Sequence, residues 1–269
     1  MALSSIAPTM EISEQELRRL VRDVDDQHRA GMETLDDELA AIHASGSSRS
    51  AGSGGETPDS EIDTGSSRRR FLSRAALGGL TLAIGSATVP LVDLLDATPA
   101  AAADAVPTDP QLVAFAEGVE LALVGAYTSA ANMTIVSSPA VKTMLTTFAG
   151  HHQQHADAFA ALGSRINANS GHKSNPKLLS VANGQFTAAR DLPRVLEIGG
   201  VLENAATATY LFALGILKQV EAQKLSASIL PVESQHCAAF GVASGAALGN
   251  FIPNFLTPDN AIDPSKYPA

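Results

Sequence analysis

Four short stretches of the sequence repeat one chemical pattern: ELALVGAY at 120–127, HQQHADAF at 152–159, ENAATATY at 203–210 and ESQHCAAF at 233–240. In the first and third stretches, a Glu stands seven positions before a Tyr. In the second and fourth, a His stands three positions after a polar residue and four positions before a Phe. The chain therefore repeats a pattern of chemistry, and not only of hydrophobicity.

The residues around these stretches predict four long helices. Pro110, Pro139 and Pro193 each follow, within two residues, a Thr, Ser or Asp that can cap a helix, which is typical of a helix start. A segment from about 167 to 189, rich in Asn, Ser, Gly and Pro, predicts a long loop between the two halves. Pro231 in the fourth helix predicts a kink or a restart there. Short links within each half and one long crossover describe an all-α four-helix bundle.

This bundle is predicted to occupy residues 106–269 and to include a C-terminal strap. The tail after Asn250 holds four prolines, so it cannot continue a helix and is expected to wrap the bundle. The apolar residues expected to pack the tail against the bundle are Phe251, Ile252, Phe255 and Leu256.

The repeated polar residues are candidate metal ligands. Each Glu of the first and third stretches lies on an apolar helix face, so it is predicted to point into the core. The i, i+3 pairs of the other two stretches place both members on the same side of a helix. Unpaired, such buried groups would each cost on the order of several kcal/mol, and two bound cations would remove that cost. The predicted ligands are Glu120, His152, His155, Glu203, Glu233 and His236. The alternative is a cluster held by hydrogen bonds alone.

The segment from about 108 to 248, roughly half of the chain, resembles the ferritin-like superfamily. It is similar in particular to exported bacterial ferritin-like domain proteins, whose four helices present Glu, Glu-x-x-His, Glu and Glu-x-x-His to two metal ions. The resemblance implies a dinuclear site with iron, or alternatively manganese, and a ferroxidase-like or other oxidoreductase activity. His152 departs from this pattern, because an imidazole cannot bridge two ions as a carboxylate does.

Several neighbouring residues have two interpretations. Tyr127 and Tyr210 are predicted to pack with their hydroxyls on a neighbouring Glu, the alternative being a redox role. His151 could form an i, i+4 metal pair with His155, but a surface position or an outer contact to the ligands is favoured for it. Glu117 is a weak candidate for a further ligand. Cys237, the single cysteine, excludes an intrachain disulfide and is predicted to be a small buried side chain.

Residues 1–43 are predicted to form an acidic amphipathic helix, and the Gly/Ser-rich residues 44–66 a linker. Residues 1–67 carry 14 acidic and 5 basic residues, so the chain's acidity lies there and no nucleic-acid partner is indicated. The single apolar stripe of this helix suggests a partner helix, which includes self-association into a homodimer. His28 lies on the stripe and is interpreted as a packing or surface residue.

Residues 67–105 resemble a twin-arginine export signal. Ser67 to Leu72 read SRRRFL and precede an apolar run interrupted by three glycines and a proline, which is a weak permanent membrane span. The expected partner is the twin-arginine translocation machinery, and the expected location is the cell envelope or the exterior. An uncleaved signal would anchor the protein, with the acidic helix inside the cell and the main domain outside, and this segment is the only predicted membrane contact.

The sequence is compatible with two functions from different classes. The first is metal-dependent redox chemistry, in which Fe(II) is oxidised or an oxidant is reduced. The second is a non-enzymatic envelope protein that binds metal without turnover or uses the bundle to hold a protein partner.

Overall fold

The computed structural model describes residues 12–50, 107–246 and 260–268, in which the secondary structure is helical. The predicted signal at 67–105 and the tail residues 251–256 lie outside the described residues. The helices are α1 (Glu14–Ser50), α2 (Asp109–Ala131), α3 (Pro139–Ile166), α4 (Pro176–Ala188), α5 (Leu192–Leu214) and α6 (Val220–Ser244). The predicted all-α class is confirmed.

The helices begin where the capping patterns predict. Ser138 accepts a hydrogen bond from the Val141 N–H at 3.2 Å, and Asp191 accepts one from the Arg194 N–H at 2.9 Å. A proline occupies the first turn of α2, α3, α4 and α5, where its missing N–H has no partner to lose. Side-chain caps and proline together set the starts of α3, α4 and α5, whereas α6 begins at Val220 with neither.

The bundle consists of two helical hairpins, α2 with α3 and α5 with α6, joined by a crossover that contains α4. At one end, Asp109 of α2 accepts hydrogen bonds from the backbone N–H groups of Lys218 (2.9 Å) and Gln219 (2.6 Å) in the α5–α6 turn. The predicted four-helix bundle with one long crossover is confirmed.

The crossover differs from the predicted loop, because residues 176–188 form the helix α4. Asn175 caps this helix by accepting the Leu178 N–H at 3.0 Å. Leu178, Ala182 and Phe186 follow at four-residue steps, and all three are buried. The loop prediction over 167–189 is therefore wrong for its second half, where apolar periodicity outweighs the Asn- and Gly-rich composition.

Helix α1 packs on the bundle, against α3 and α6. Its apolar stripe enters the core, where Leu17, Val21 and Val24 are buried. Glu14 caps α3 by accepting the Ala140 N–H at 2.9 Å. The helix continues to Ser50, past residue 43, where the sequence places its end. The apolar stripe of α1 therefore packs against helices of the same chain.

Helix α6 runs from Val220 to Ser244 without a break at Pro231, so the predicted restart does not occur. It approaches α5 closely where Phe240 meets Gly199. A Cβ built on Gly199 of α5 would lie 2.3 Å from Cε1 of Phe240, whose side chain is fully buried. The missing side chain of Gly199 therefore admits the Phe240 ring.

Two further features define the core. Helix α2 has the length and hydropathy of a membrane span, but 67% of its most apolar window is buried inside the protein, as in the core helix of a bundle. The C-terminal residues 260–268 also join the core through the buried Ile262 and Tyr267. The carbonyl oxygen of Tyr267 accepts a hydrogen bond of 2.9 Å from the Asn175 side chain.

We expect Gly199→Ala to lower the free energy of unfolding by about 1–3 kcal/mol, because the added methyl group overlaps the Phe240 ring. Gly184→Ala is the matched control, since a Cβ there meets no atom within 4 Å and the position is an exposed helix site. That change should stabilise the protein by about 0.5–1 kcal/mol. Urea unfolding followed by circular dichroism measures both. Equal stabilities of the two variants would contradict the close approach.

Candidate metal centre

The four bundle helices bring all six predicted ligands into one buried cluster. Helices α2 and α5 each supply one Glu, and α3 and α6 each supply an i, i+3 pair. Every one of the six side chains is completely buried. They form two overlapping groups of potential ligand atoms, each within 4.8 Å of one another. The first group is Glu120, His152, His155 and Glu233, and the second is His152, Glu203, Glu233 and His236.

His152 and Glu233 belong to both groups, so they lie at the centre of the cluster. Nδ1 of His152 lies 2.7 Å from Glu120 Oε2, and its Nε2 lies 3.2 Å from Glu203 Oε1. The imidazole thus contacts one carboxylate of each hairpin with a different ring nitrogen. A neutral imidazole has one lone pair, so His152 can bind an ion on one side and donate a hydrogen bond on the other.

The other two histidines turn the same ring atom toward the carboxylates. Nδ1 of His155 lies 2.9 Å from Glu233 Oε1 and 3.5 Å from Glu120 Oε2. Nδ1 of His236 lies 3.4 Å from Glu203 Oε2 and 3.6 Å from Glu233 Oε2. The two oxygens of Glu233 therefore face different histidines, one in each half of the cluster.

Three buried atoms at this point have no hydrogen-bond partner: both carboxylate oxygens of Glu233 and Nδ1 of His155. The 2.9 Å separation between two of them is short, but the ring N–H direction does not suit a hydrogen bond. Buried polar atoms without partners are costly, and they are rare in stable proteins. Carboxylate oxygens and imidazole nitrogens are ligands for divalent metal ions, so the residues fit a metal centre.

Two tyrosines join the hairpins across the cluster. The Tyr127 hydroxyl of α2 donates to Glu203 Oε1 of α5 at 2.5 Å, and the Tyr210 hydroxyl of α5 donates to Glu120 Oε1 of α2. Burial, with the adjacent carboxylates, raises the pKa of both phenols well above its usual value. The prediction that each tyrosine packs with its hydroxyl on a Glu is confirmed.

The charges of the cluster compensate one another. Burial alone would raise the pKa of Glu120, but His152 and His155 lower it to about 2. Burial alone would lower the pKa of His155, but Glu120 and Glu233 raise it to about 9. The pKa of His152 is raised as well, since the carboxylates around it outweigh burial. Without metal, imidazolium groups therefore neutralise the carboxylates, and a metal ion must displace their protons.

Two further histidines contact the cluster from outside. His151 is buried, which excludes the predicted surface position, and its Nδ1 lies 2.9 Å from Nε2 of His236. His28 of α1 is also buried, and its Nε2 lies 3.0 Å from Nε2 of His155. Sequence reasoning left both outside the predicted ligand set. The position of His28 on the apolar stripe indicated burial, but not which residue it meets.

The remaining candidates lie apart from the ligand groups. Glu117 pairs with Nδ1 of His172 at 2.8 Å and belongs to neither group of potential ligands. Cys237 is buried, its sulfur lies 3.5 Å from the Gly200 carbonyl oxygen, and burial raises the pKa of its thiol to about 12. The interpretation of Cys237 as a small buried side chain is confirmed.

We expect protein stripped of metal to lose stability as the pH rises from about 6.5 through about 9. The folded state raises the pKa of His155 to about 9, so its stabilising contribution is present below its usual pKa of 6.5 and lost as the pH passes about 9. Urea unfolding at neutral and alkaline pH measures this. His155→Gln should flatten the dependence, and His172→Gln, at an exposed histidine, should not. Unchanged stability of the wild type across this range would contradict the charge pattern.

Comparisons with known proteins give one match. No curated protein and no solved structure matched the chain. A family model described as a ferritin-like domain matches residues 84–246, more than half of the 269 residues. The matched range contains α2 to α6 and all six cluster residues, excludes α1, and begins inside the predicted signal segment. The chain therefore belongs to the ferritin-like domain family.

Proposed function

We propose that the six-residue cluster binds two metal ions and that the bound pair performs redox chemistry, oxidising Fe(II) or reducing an oxidant. The observation that carries this proposal is Glu233, a fully buried carboxylate whose two oxygens have no hydrogen-bond partner and belong to both ligand groups. A buried carboxylate in that position has unused ligand capacity toward each half of the site.

The side chains divide between the two ions by position. Glu120 and His155 would hold one ion, and Glu203 and His236 the other. Glu233 presents one oxygen to each half, so it would help to hold both ions. His152 can serve either half, because its two nitrogens face Glu120 and Glu203.

The ligand atoms suit iron or manganese, and we propose iron. Carboxylate oxygens and imidazole nitrogens bind both metals, and neither ligand group contains a thiolate of the kind that selects softer ions. Bound iron would supply one-electron exchange between Fe(II) and Fe(III). Around it, Tyr127 and Tyr210 hold the carboxylates in place. The buried Phe148 ring stacks on His236 with centroids 4.0 Å apart and shields that side from water.

A second candidate function is metal binding without turnover. It is favoured by His152, which replaces a carboxylate of the family pattern and removes one negative charge from the site. Fewer charges stabilise Fe(III) less, and the imidazolium–carboxylate pairs keep the cluster neutral without any ion. In this case the protein takes up metal but does not accelerate oxidation.

We expect the full chain to bind about two Fe(II) ions and to oxidise them in air with the appearance of a diferric absorption band. Glu203→Ala should lose metal, because it removes a ligand of the second group. Glu197→Ala, the same change on the same helix at a residue paired with Arg194, should bind as the wild type does. Anaerobic titration and metal analysis measure uptake, and absorbance measures oxidation.

Three outcomes of that titration separate the functions. Uptake with oxidation supports redox chemistry, and uptake without oxidation supports the second candidate. Metal content near zero in metal-replete wild-type protein would end both.

We also propose that the protein is exported through the twin-arginine machinery, on the basis of the SRRRFL pattern at 67–72. Helix α1 precedes this segment and the bundle follows it, yet α1 packs against α3 and α6. We therefore propose that residues 12–50 are exported together with the bundle, as one folded unit.

Changing both Arg68 and Arg69 to Lys is expected to keep the protein in the cytoplasm, because the export pattern depends on the arginine pair. Cell fractionation of a bacterial host with epitope tags at both ends measures the location of α1 and of the bundle. Arg190→Lys, outside the pattern, is the matched control. Equal export of the double variant would contradict a twin-arginine signal.

A further inference from the structure

We infer that α1 is part of the metal centre: His28 positions the ligand His155, and Asp25 positions the ligand His236 through His151. The inference rests on the proposed metal binding. It goes beyond that function, because α1 lies outside the residues that match the ferritin-like domain family. Asp25, His28 and His151 are positioning residues, since they meet the ligands and not the ions.

On the Glu120 side of the cluster, one pair of ring nitrogens joins α1 to α3. His155 turns Nδ1 toward Glu233 and Glu120, which leaves its Nε2 facing outward. That Nε2 lies 3.0 Å from Nε2 of His28. An imidazole that binds metal through Nδ1 carries its proton on Nε2, so His155 donates this hydrogen bond and His28 accepts it.

On the Glu203 side of the cluster, two consecutive hydrogen bonds connect Asp25 to His236 through His151. Asp25 Oδ1 lies 3.0 Å from Nε2 of His151, and because a carboxylate accepts, that nitrogen carries the proton. Nδ1 of His151 is then an acceptor, and Nε2 of His236 donates to it at 2.9 Å. The lone pair of His236 is thereby left on Nδ1, toward Glu203 and Glu233.

The two outer histidines limit each other's movement. The rings of His28 and His151 stack with centroids 3.9 Å apart, so each limits the rotation of the other.

Helix α1 is anchored on both sides of these residues. Towards its N-terminus, Glu14 accepts the Ala140 N–H of α3, and towards its C-terminus, Leu35 and Leu39 are buried in an apolar cluster with residues of the bundle helices. His28 and Asp25 lie between these anchors, one turn apart on the face toward the cluster. Their placement against the ligands therefore follows from the docking of the whole helix.

Cobalt titration of the full chain, stripped of metal, tests the inference. Co(II) accepts the same ligands, and its visible absorption reports how the imidazoles coordinate. His28→Leu and Asp25→Ala should each weaken Co(II) binding by about 10- to 100-fold and change the spectrum, because ligands without their outer partners are misoriented. The first variant should affect the ion of the Glu120 group, and the second the ion of the Glu203 group.

Two controls separate positioning from general support of the fold. His28→Gln retains an acceptor toward His155, so it should restore binding to within a fewfold of the wild type. Glu38→Ala removes a contact between α1 and α6 that touches no ligand, so it should leave affinity and spectrum unchanged. If His28→Leu does not fold by circular dichroism, Asp25→Ala decides the test, since that side chain is 37% exposed.

The outcomes distinguish this inference from the proposed function. Wild-type affinity and spectrum in both His28→Leu and Asp25→Ala, with loss of binding in Glu203→Ala, would overturn the inference and leave the metal site standing. A wild-type chain that binds no Co(II) would overturn both.

Discussion

The burial of three carboxylates and three imidazoles between apolar helix faces is the constraint on which the structure depends. Removing one partner of a single buried pair would leave an uncompensated charge, at a cost of about 3–5 kcal/mol. The cluster reduces this cost by pairing opposite charges. For example, Nδ1 of His152 lies 2.7 Å from Oε2 of Glu120. The pairing is incomplete at Glu233, whose oxygens lack hydrogen bonds. Glu233 therefore affects both the stability of the fold and its capacity to bind metal.

The same constraint couples the two hairpins. Each hairpin supplies a tyrosine whose hydroxyl donates to the glutamate of the other hairpin, so each of these buried carboxylates has a partner from both halves. Close packing of α5 on α6 at Gly199 holds Phe240 beside Tyr127, with ring centroids 5.7 Å apart. The internal repeat of the sequence therefore corresponds to mutual dependence of the halves in the fold.

Helix α1 covers the outer side of the metal-site helices. The histidine ligands of α3 and α6 each have one side that faces away from the cluster, and in this protein α1 packs against that side. Its apolar stripe stabilises the docking, while Asp25 and His28 meet the polar atoms left on the outside of the cluster.

The sequence by itself determined the starts of α2, α3 and α5, from prolines and capping side chains, and the six-residue cluster, from Glu and His at helical spacing. It also contained the pattern for α4, at Leu178, Ala182 and Phe186, which the Asn- and Gly-rich composition obscured. Only the tertiary structure decided that His28 meets His155, because this contact spans 127 positions and depends on which groove of the bundle receives α1. Periodicity shows which face of a helix is buried, and packing alone selects the surface that buries it.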